Sequence, residues 1–88
     1  MIIPEKELKH LLDMYNYCVI INDIVKHIDL KQFEKNKTIQ MAVERGIEII
    51  GEASNRLNKN TQESLPFIEW RDILGMRNRI VHEYGSLI

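Results

Sequence analysis

The sequence predicts an all-α protein, an antiparallel bundle of three main helices. Two long stretches and a shorter one near the end place apolar residues at the spacing of amphipathic helices. The period-2 alternation typical of β-strands is absent throughout. The 88 residues suffice for one small domain, which we assign to residues 1–88. Because the core of so small a domain is marginal, we expect a dimer or a larger assembly.

The composition limits the classes of function. The 12 Lys and Arg residues are balanced by 13 Asp and Glu residues, so the net charge is -1. No global positive field attracts nucleic acid, and any RNA site must be local. The single cysteine, Cys18, excludes an internal disulfide, and its apolar neighbours predict a buried thiol. With no signal peptide or membrane-spanning pattern in the sequence, we expect a cytoplasmic protein.

The first helix is expected to run from near Pro4 to about His27, because proline suits a first helical position. Its first half gathers one set of apolar residues on one side: Leu8, Leu11, Leu12, Tyr15, Cys18 and Val19. A second set falls on roughly the opposite side: Ile21, Ile24, Val25 and Ile28. Two apolar faces imply two burial partners, the bundle itself and another subunit. A helix break near residues 20–22 is the alternative that this pattern allows.

A polar connection is predicted over residues 29–37, with Phe33 anchoring it to the core. A side-chain cap between Asn36 and Thr38 should begin the second helix. That helix has one strongly apolar stripe, which includes small residues that permit close helix approach. The members of the stripe are Ile39, Val43, Gly46, Ile47, Ile50, Ala53 and Leu57.

Three carboxylates, Glu44, Glu48 and Glu52, recur every four residues on the other side of this helix. Aligned carboxylates can bind a metal ion. The favoured interpretation is a solvated face on which Arg56 supports Glu52, as side chains four residues apart do. We therefore predict neither a metal site nor a cofactor.

The third helix should begin between Ile68 and Trp70, after a polar segment with a short helical turn near residues 62–65. At about 100° per residue, its apolar stripe consists of Trp70, Ile73, Leu74, Ile80 and Val81. Arg77 falls inside that stripe, and His82 lies at its border beside Asn78. A buried guanidinium is costly without a partner, so Arg77 must pair, line a cleft or face another subunit.

Three segments of the sequence resemble a known family. They are Ile49-Ile50-Gly51-Glu52-Ala53, Trp70-Arg71-Asp72-Ile73 and Gly75-Met76-Arg77-Asn78-Arg79-Ile80-Val81-His82-Glu83-Tyr84, the last of which contains R-x4-H-x-Y. From Leu8 onward the chain resembles the HEPN superfamily, most closely its HepT-like toxins. Relatives continue into a further helix, so the HEPN-like bundle expected for a chain that ends at Ile88 lacks that helix.

The resemblance implies an RNase toxin. In the family, the residues that correspond to Arg77 and His82 are catalytic, and two copies form one RNA-cleaving cleft at a homodimer interface. The usual partner is a minimal nucleotidyltransferase antitoxin, which transfers AMP to the motif tyrosine, here Tyr84.

The residue types fit this activity independently of the resemblance. An imidazole such as that of His82 can take the proton of a ribose 2′-OH, and the planar fork of Arg77 suits a phosphate. Asn78 is expected to support the site by orienting the imidazole or holding a phosphate oxygen. With Arg77, the candidates Arg71 and Arg79 form the densest arginine cluster and are predicted to contact RNA. The alternative is a non-catalytic helical adaptor that binds a nucleotidyltransferase.

Overall fold

The computed structural model describes residues 3–83, with side chains through residue 82, as five helices. They are α1 (Glu5–Val25), α2 (Leu30–Lys35), α3 (Lys37–Arg56), α4 (Lys59–Ser64) and α5 (Trp70–Glu83). No residue in this range belongs to a strand, which confirms the all-α prediction. α3 is the central helix, with α1 packed on one side of it and α5 on another.

α1 is a single unbroken helix, so the predicted alternative of a break near residues 20–22 is wrong. Its inner face contributes Met14 to the core, where Leu11, Tyr17 and Ile21 also pack against residues of α3. The opposite face of its first half is exposed, and Tyr15 keeps 65% of its surface accessible. Leu11 of the first predicted set and Ile21 of the second pack against the core. The other five residues of the first set are exposed, so the described chain leaves that side of α1 uncovered.

Cys18 is exposed, so the prediction of a buried thiol is wrong. It lies on α1 next to Val19, another exposed residue of the outward face. Its apolar neighbours therefore belong to the uncovered side of the helix. The sequence neighbours of Cys18 showed that it lies on an apolar side of α1. They could not show whether that side faces the core or solvent.

The connection after α1 contains a helix that the sequence analysis did not predict. The Asp29 carboxylate accepts a hydrogen bond from the Gln32 backbone N–H at 2.8 Å, and the Gln32 side chain accepts one from the Asp29 backbone N–H at 2.9 Å. This reciprocal cap satisfies two free N–H groups and supports the six residues of α2. Phe33 is half-buried, and the Asn36 side chain caps α3 by accepting from Ile39 at 3.0 Å, as expected.

The predicted support of Glu52 by Arg56 is wrong. Glu52 instead pairs with Arg45 at 3.7 Å, and the same guanidinium lies 3.4 Å from Glu48. Two carboxylates of the predicted row therefore share one arginine. In the described part of the chain, no three His, Cys, Asp or Glu side chains are grouped closely enough to hold a metal ion.

One long-range hydrogen bond ties the start of α1 to the residues just after α3. The buried Glu7 carboxylate of α1 accepts from the Asn58 backbone N–H at 2.7 Å, at the start of α4. This hydrogen bond holds the pKa of Glu7 below its ordinary value, with a smaller contribution from the Thr61 side chain, while burial acts in the opposite direction. Because the bond favours the ionised carboxylate, it ties the start of α1 to the segment that precedes α5.

Replacing Glu7 by Gln is therefore expected to lower the thermal midpoint at pH 7. The lowered pKa means that the ionised carboxylate stabilises the fold above the unfolded pKa of about 4.3, and that this stabilisation is lost as pH falls through the folded pKa. Thermal unfolding of wild type and Glu7→Gln between pH 7 and pH 3 should give midpoints that converge on acidification. A difference that stays constant with pH would show that the carboxylate charge contributes nothing.

Candidate functional site

The start of α5 is fixed by its tryptophan. The Trp70 indole N–H donates to the backbone carbonyls of Gln62 at 3.0 Å and Leu65 at 3.1 Å. Both carbonyls lie at the end of α4, the short helix that the sequence predicted as a turn near residues 62–65. The predicted start of the third helix near Trp70 is also confirmed. Trp70 thereby sets the position of α5 relative to α3.

Arg77 leaves α5 on the side that faces α3, as its place in the apolar stripe predicted. Its aliphatic stem crosses α3 at Gly51, where an added Cβ would overlap the Arg77 Cβ and Cγ. Only a residue without a side chain lets the two helices approach this closely. Gly51 belongs to the first of the three segments that resemble the family, and this packing role was not predicted for it. The signal was a glycine in the middle of a long helix, which costs stability unless packing requires it.

The guanidinium of Arg77 is half-buried and held by its neighbour. Its Nη1 donates to the Asn78 side-chain oxygen at 3.1 Å. Its Nε is buried and has no hydrogen-bond partner among the described residues. A buried donor without a partner costs free energy. The described residues therefore satisfy the guanidinium only in part.

His82 is exposed on a different side of α5 from Arg77. On a regular helix the two Cα–Cβ directions diverge by about 140°, so they do not converge directly. Asn78 lies between them, about 40° from His82 and one turn away. By accepting from Nη1, Asn78 draws the guanidinium around the helix toward the His82 side. The predicted supporting residue therefore binds the arginine, and no hydrogen bond joins it to the imidazole in the described structure.

The remaining predicted site residues are Arg71, Arg79 and Tyr84. Arg71 and Arg79 are both exposed. Measured around the helix axis, the Arg71 side chain lies within about 20° of both Asn78 and His82. The Arg79 side chain points about 160° away from that of Arg77. Tyr84, the predicted AMP acceptor, lies outside the described residues.

A groove near the start of α5 was not predicted. It has a volume of about 380 Å³ and is lined by residues from α3, α4 and α5: Ser54, Asn55, Gln62, Trp70, Arg71 and Leu74. Sequence spacing could not reveal it, because its walls come from three helices whose packing is set by the Trp70 anchor. Across residues 3–83, no helix combines the length and the apolar character needed to cross a membrane.

Comparison with known proteins places the chain in a family. A family model described as ribonuclease HepT-like matches residues 14–87. A candidate RNase of Methanocaldococcus jannaschii is 39% identical over 77 residues, covering 84% of this chain and 71% of the relative. No solved structure gives a significant match.

Two further relatives come from other organisms. A candidate RNase of Caldanaerobacter subterraneus subsp. tengcongensis is 36% identical over 81 residues, covering 92% of this chain and 70% of the relative. A probable ribonuclease HepT of Thermococcus cleftensis is 33% identical over 75 residues, covering 85% of this chain and 68% of the relative. The family match spans most of the chain and includes the Arg77-to-His82 motif, so the protein belongs to the HepT-like ribonuclease family of the HEPN superfamily.

Proposed function

We propose that this member of the HepT-like ribonucleases is a metal-independent endoribonuclease whose site is completed by a second copy of the chain. The observation that carries the proposal is the hydrogen bond from Arg77 to Asn78, which holds the guanidinium against a residue that lies between Arg77 and His82 around α5. This arrangement combines a group that can transfer protons with a cation that can hold a phosphate. Those are the two requirements for cutting RNA through its own 2′-OH.

The reaction needs a base, an acid and a stabilising cation. The base removes the proton of a ribose 2′-OH, and the 2′-oxygen attacks the adjacent phosphorus. The bond from phosphorus to the 5′-oxygen breaks, and the acid donates a proton to that leaving oxygen. The products are a 2′,3′-cyclic phosphate and a 5′-OH. We assign the proton transfers to His82 and the stabilisation of charge on the phosphate to Arg77.

A second copy supplies what one chain lacks. Each chain contributes one His82, and a two-fold axis beside α5 would bring a second imidazole to the same site, so that one acts as base and the other as acid. The outward face of α1, where Leu12 and Tyr15 are exposed, fits an apolar surface that another copy covers. A homodimer is thus the proposed active species.

The proposal predicts that purified protein cleaves single-stranded RNA in the presence of EDTA. The products should carry 2′,3′-cyclic phosphate and 5′-OH ends, because the 2′-oxygen is the nucleophile. Mass spectrometry of the fragments distinguishes these ends from the 3′-OH and 5′-phosphate ends that hydrolysis by an external water can leave. Cleavage that appears only after a divalent ion is added would contradict the mechanism.

We further propose that the chain is the cytoplasmic toxin of a toxin–antitoxin pair, neutralised by a minimal nucleotidyltransferase. The support is the R-x4-H-x-Y motif, which ends in Tyr84 two residues after His82. AMP attached to the Tyr84 hydroxyl would add an anion able to pair with Arg77 in place of the RNA phosphate. Inhibition would then need no change of fold.

This partner is tested by weighing the intact chain after co-expression with a cognate minimal nucleotidyltransferase. A gain of one or more AMP units that disappears in Tyr84→Phe is the expected result. A neutralised wild-type chain of unchanged mass would mean that the partner acts by binding alone. A folded chain that binds the partner and never cleaves RNA would support the adaptor alternative instead.

A further inference from the structure

We propose that the groove between α3, α4 and α5 is a binding subsite for one nucleotide of a single-stranded RNA, next to the phosphate that is cut. The inference rests on the proposed ribonuclease activity and adds to it the place where the flanking nucleotide is held. The groove is lined by Ser54, Asn55, Gln62, Trp70, Arg71 and Leu74. Its volume of about 380 Å³ is near the lower end of the range for small-molecule sites, which suits one nucleotide rather than a duplex.

The floor of the groove is held by hydrogen bonds. The Gln62 side-chain amide donates to the Ser54 backbone carbonyl at 2.9 Å, and the Trp70 indole donates to the Gln62 carbonyl at 3.0 Å. These two bonds join α3, α4 and α5 at one point. The floor is therefore preorganised, which lowers the entropic cost of binding a ligand.

The rim of the groove carries polar groups that remain available to a ligand. Asn55 and Arg71 are both exposed. Neither side chain makes a hydrogen bond or an ion pair to another residue that the structure describes. An amide can read the edges of an unpaired base, while a guanidinium can stack on a base or pair with a phosphate. The apolar wall from Leu74 and the half-buried indole of Trp70 suit the face of a base.

Arg71, at the rim of the groove, lies on the same side of α5 as Asn78 and His82. Arg71, Asn78 and His82 leave the helix within about 40° of one another, so they form one row. At about 1.5 Å per residue, Arg71 lies roughly 10 Å from Asn78 along the helix axis. Leu74, which also lines the groove, lies one turn from Asn78. A strand with its scissile phosphate at Arg77 and His82 would therefore pass its neighbouring nucleotide into the groove. With a net charge of -1, the chain depends on such local cations to bind RNA.

Trp70 is the only tryptophan of the chain, so its fluorescence reports directly on the groove. The probe is a single-stranded 2′-O-methyl oligonucleotide, which has no free 2′-OH and cannot be cleaved through it. Titrated into the full chain in EDTA, it should change the Trp70 emission saturably. Arg71→Ala and Asn55→Ala should each weaken the apparent Kd by at least about fivefold, since each removes one contact to the nucleotide.

Arg45→Ala is the matched control, because Arg45 is an exposed arginine of α3 outside the groove. Its loss removes the same charge and should change the apparent Kd by less than about twofold. Unchanged Trp70 emission while fluorescence anisotropy shows the oligonucleotide bound would overturn the subsite and leave the ribonuclease proposal intact. Equal weakening by Arg71→Ala and Arg45→Ala would also overturn it, because only general charge would then matter. If the wild-type chain neither binds the probe nor cleaves RNA, both proposals fall.

Discussion

Replacing His82 by Ala is expected to reduce the rate of RNA cleavage by about 10²–10⁴-fold, the usual contribution of general acid–base catalysis. The side chain is exposed, so the substitution should leave the free energy of unfolding within about 0.5 kcal/mol of wild type. The measurement is kcat on a short RNA in EDTA, together with a thermal unfolding curve. His27→Ala is the matched control, since His27 is another exposed histidine, just after α1, and its loss should leave kcat unchanged.

Arg77→Ala should cost cleavage about 10²–10³-fold, comparable to removal of one preorganised donor to a developing negative charge. This variant also loses the stem that packs over Gly51, so a fall in activity could follow from a shifted helix. Arg77→Met separates the two effects, because it keeps an apolar stem of similar reach and removes only the charge. A folded Arg77→Met that cleaves within about twofold of wild type would remove the guanidinium from the mechanism.

The second large effect is expected at the contact between α3 and α5. Gly51→Ala places a methyl group where the Arg77 Cβ and Cγ lie, and the Cβ cannot rotate away. The helices must separate, at a cost of about 1–3 kcal/mol for overpacking of this kind. In a domain of this size each kcal/mol lowers the thermal midpoint by roughly 4–8 °C. Activity should fall as well, because the same separation moves Arg77.

Gly75→Ala is the matched control for this substitution. Gly75 is also a mid-helix glycine, yet among the described residues a Cβ there would meet no atom within 4 Å apart from its own helix backbone and chain neighbours. The exchange should therefore stabilise the protein by about 0.5–1 kcal/mol through helix propensity alone. Opposite shifts of the two thermal midpoints are the expected result. A midpoint for Gly51→Ala at or above that of wild type would show that α5 does not pack this closely on α3.

The main helices could be predicted from the sequence because their signals are local. Pro4 and Asn36 mark helix starts within a few residues, and the apolar period of α3 continues over five turns. α2 escaped prediction because it is too short to show a period, and its signal is the Asp29–Gln32 capping pair alone. The exposure of Cys18 was not predicted, because the sequence shows two apolar faces on α1 and does not show which of them the bundle covers.

For the candidate site, too, the sequence predicted only what depends on spacing within one helix. Helical spacing fixes the direction of a side chain, so the sequence placed Arg77 in the apolar stripe of the third helix. It left open whether Arg77 would pair, line a cleft or face another subunit. What Arg77 meets there depends on the register of α5 against α3, which the Trp70 hydrogen bonds set across the intervening segment. The contact with Gly51 and the groove beside Asn55 both depend on that register. Neither could be obtained from spacing within one helix.

The central claim is that two copies of the chain build one cleavage site, each contributing a His82. It is tested by exchanging subunits between wild type and His82→Ala at constant total protein and measuring the cleavage rate in EDTA. If both imidazoles act in one site, only wild-type homodimers are active, and the rate should follow the square of the wild-type fraction. An equal mixture then retains about a quarter of the activity, whereas independent sites would retain about half. A linear dependence on the wild-type fraction, with exchange verified by mass spectrometry of the intact dimers, would contradict the composite site.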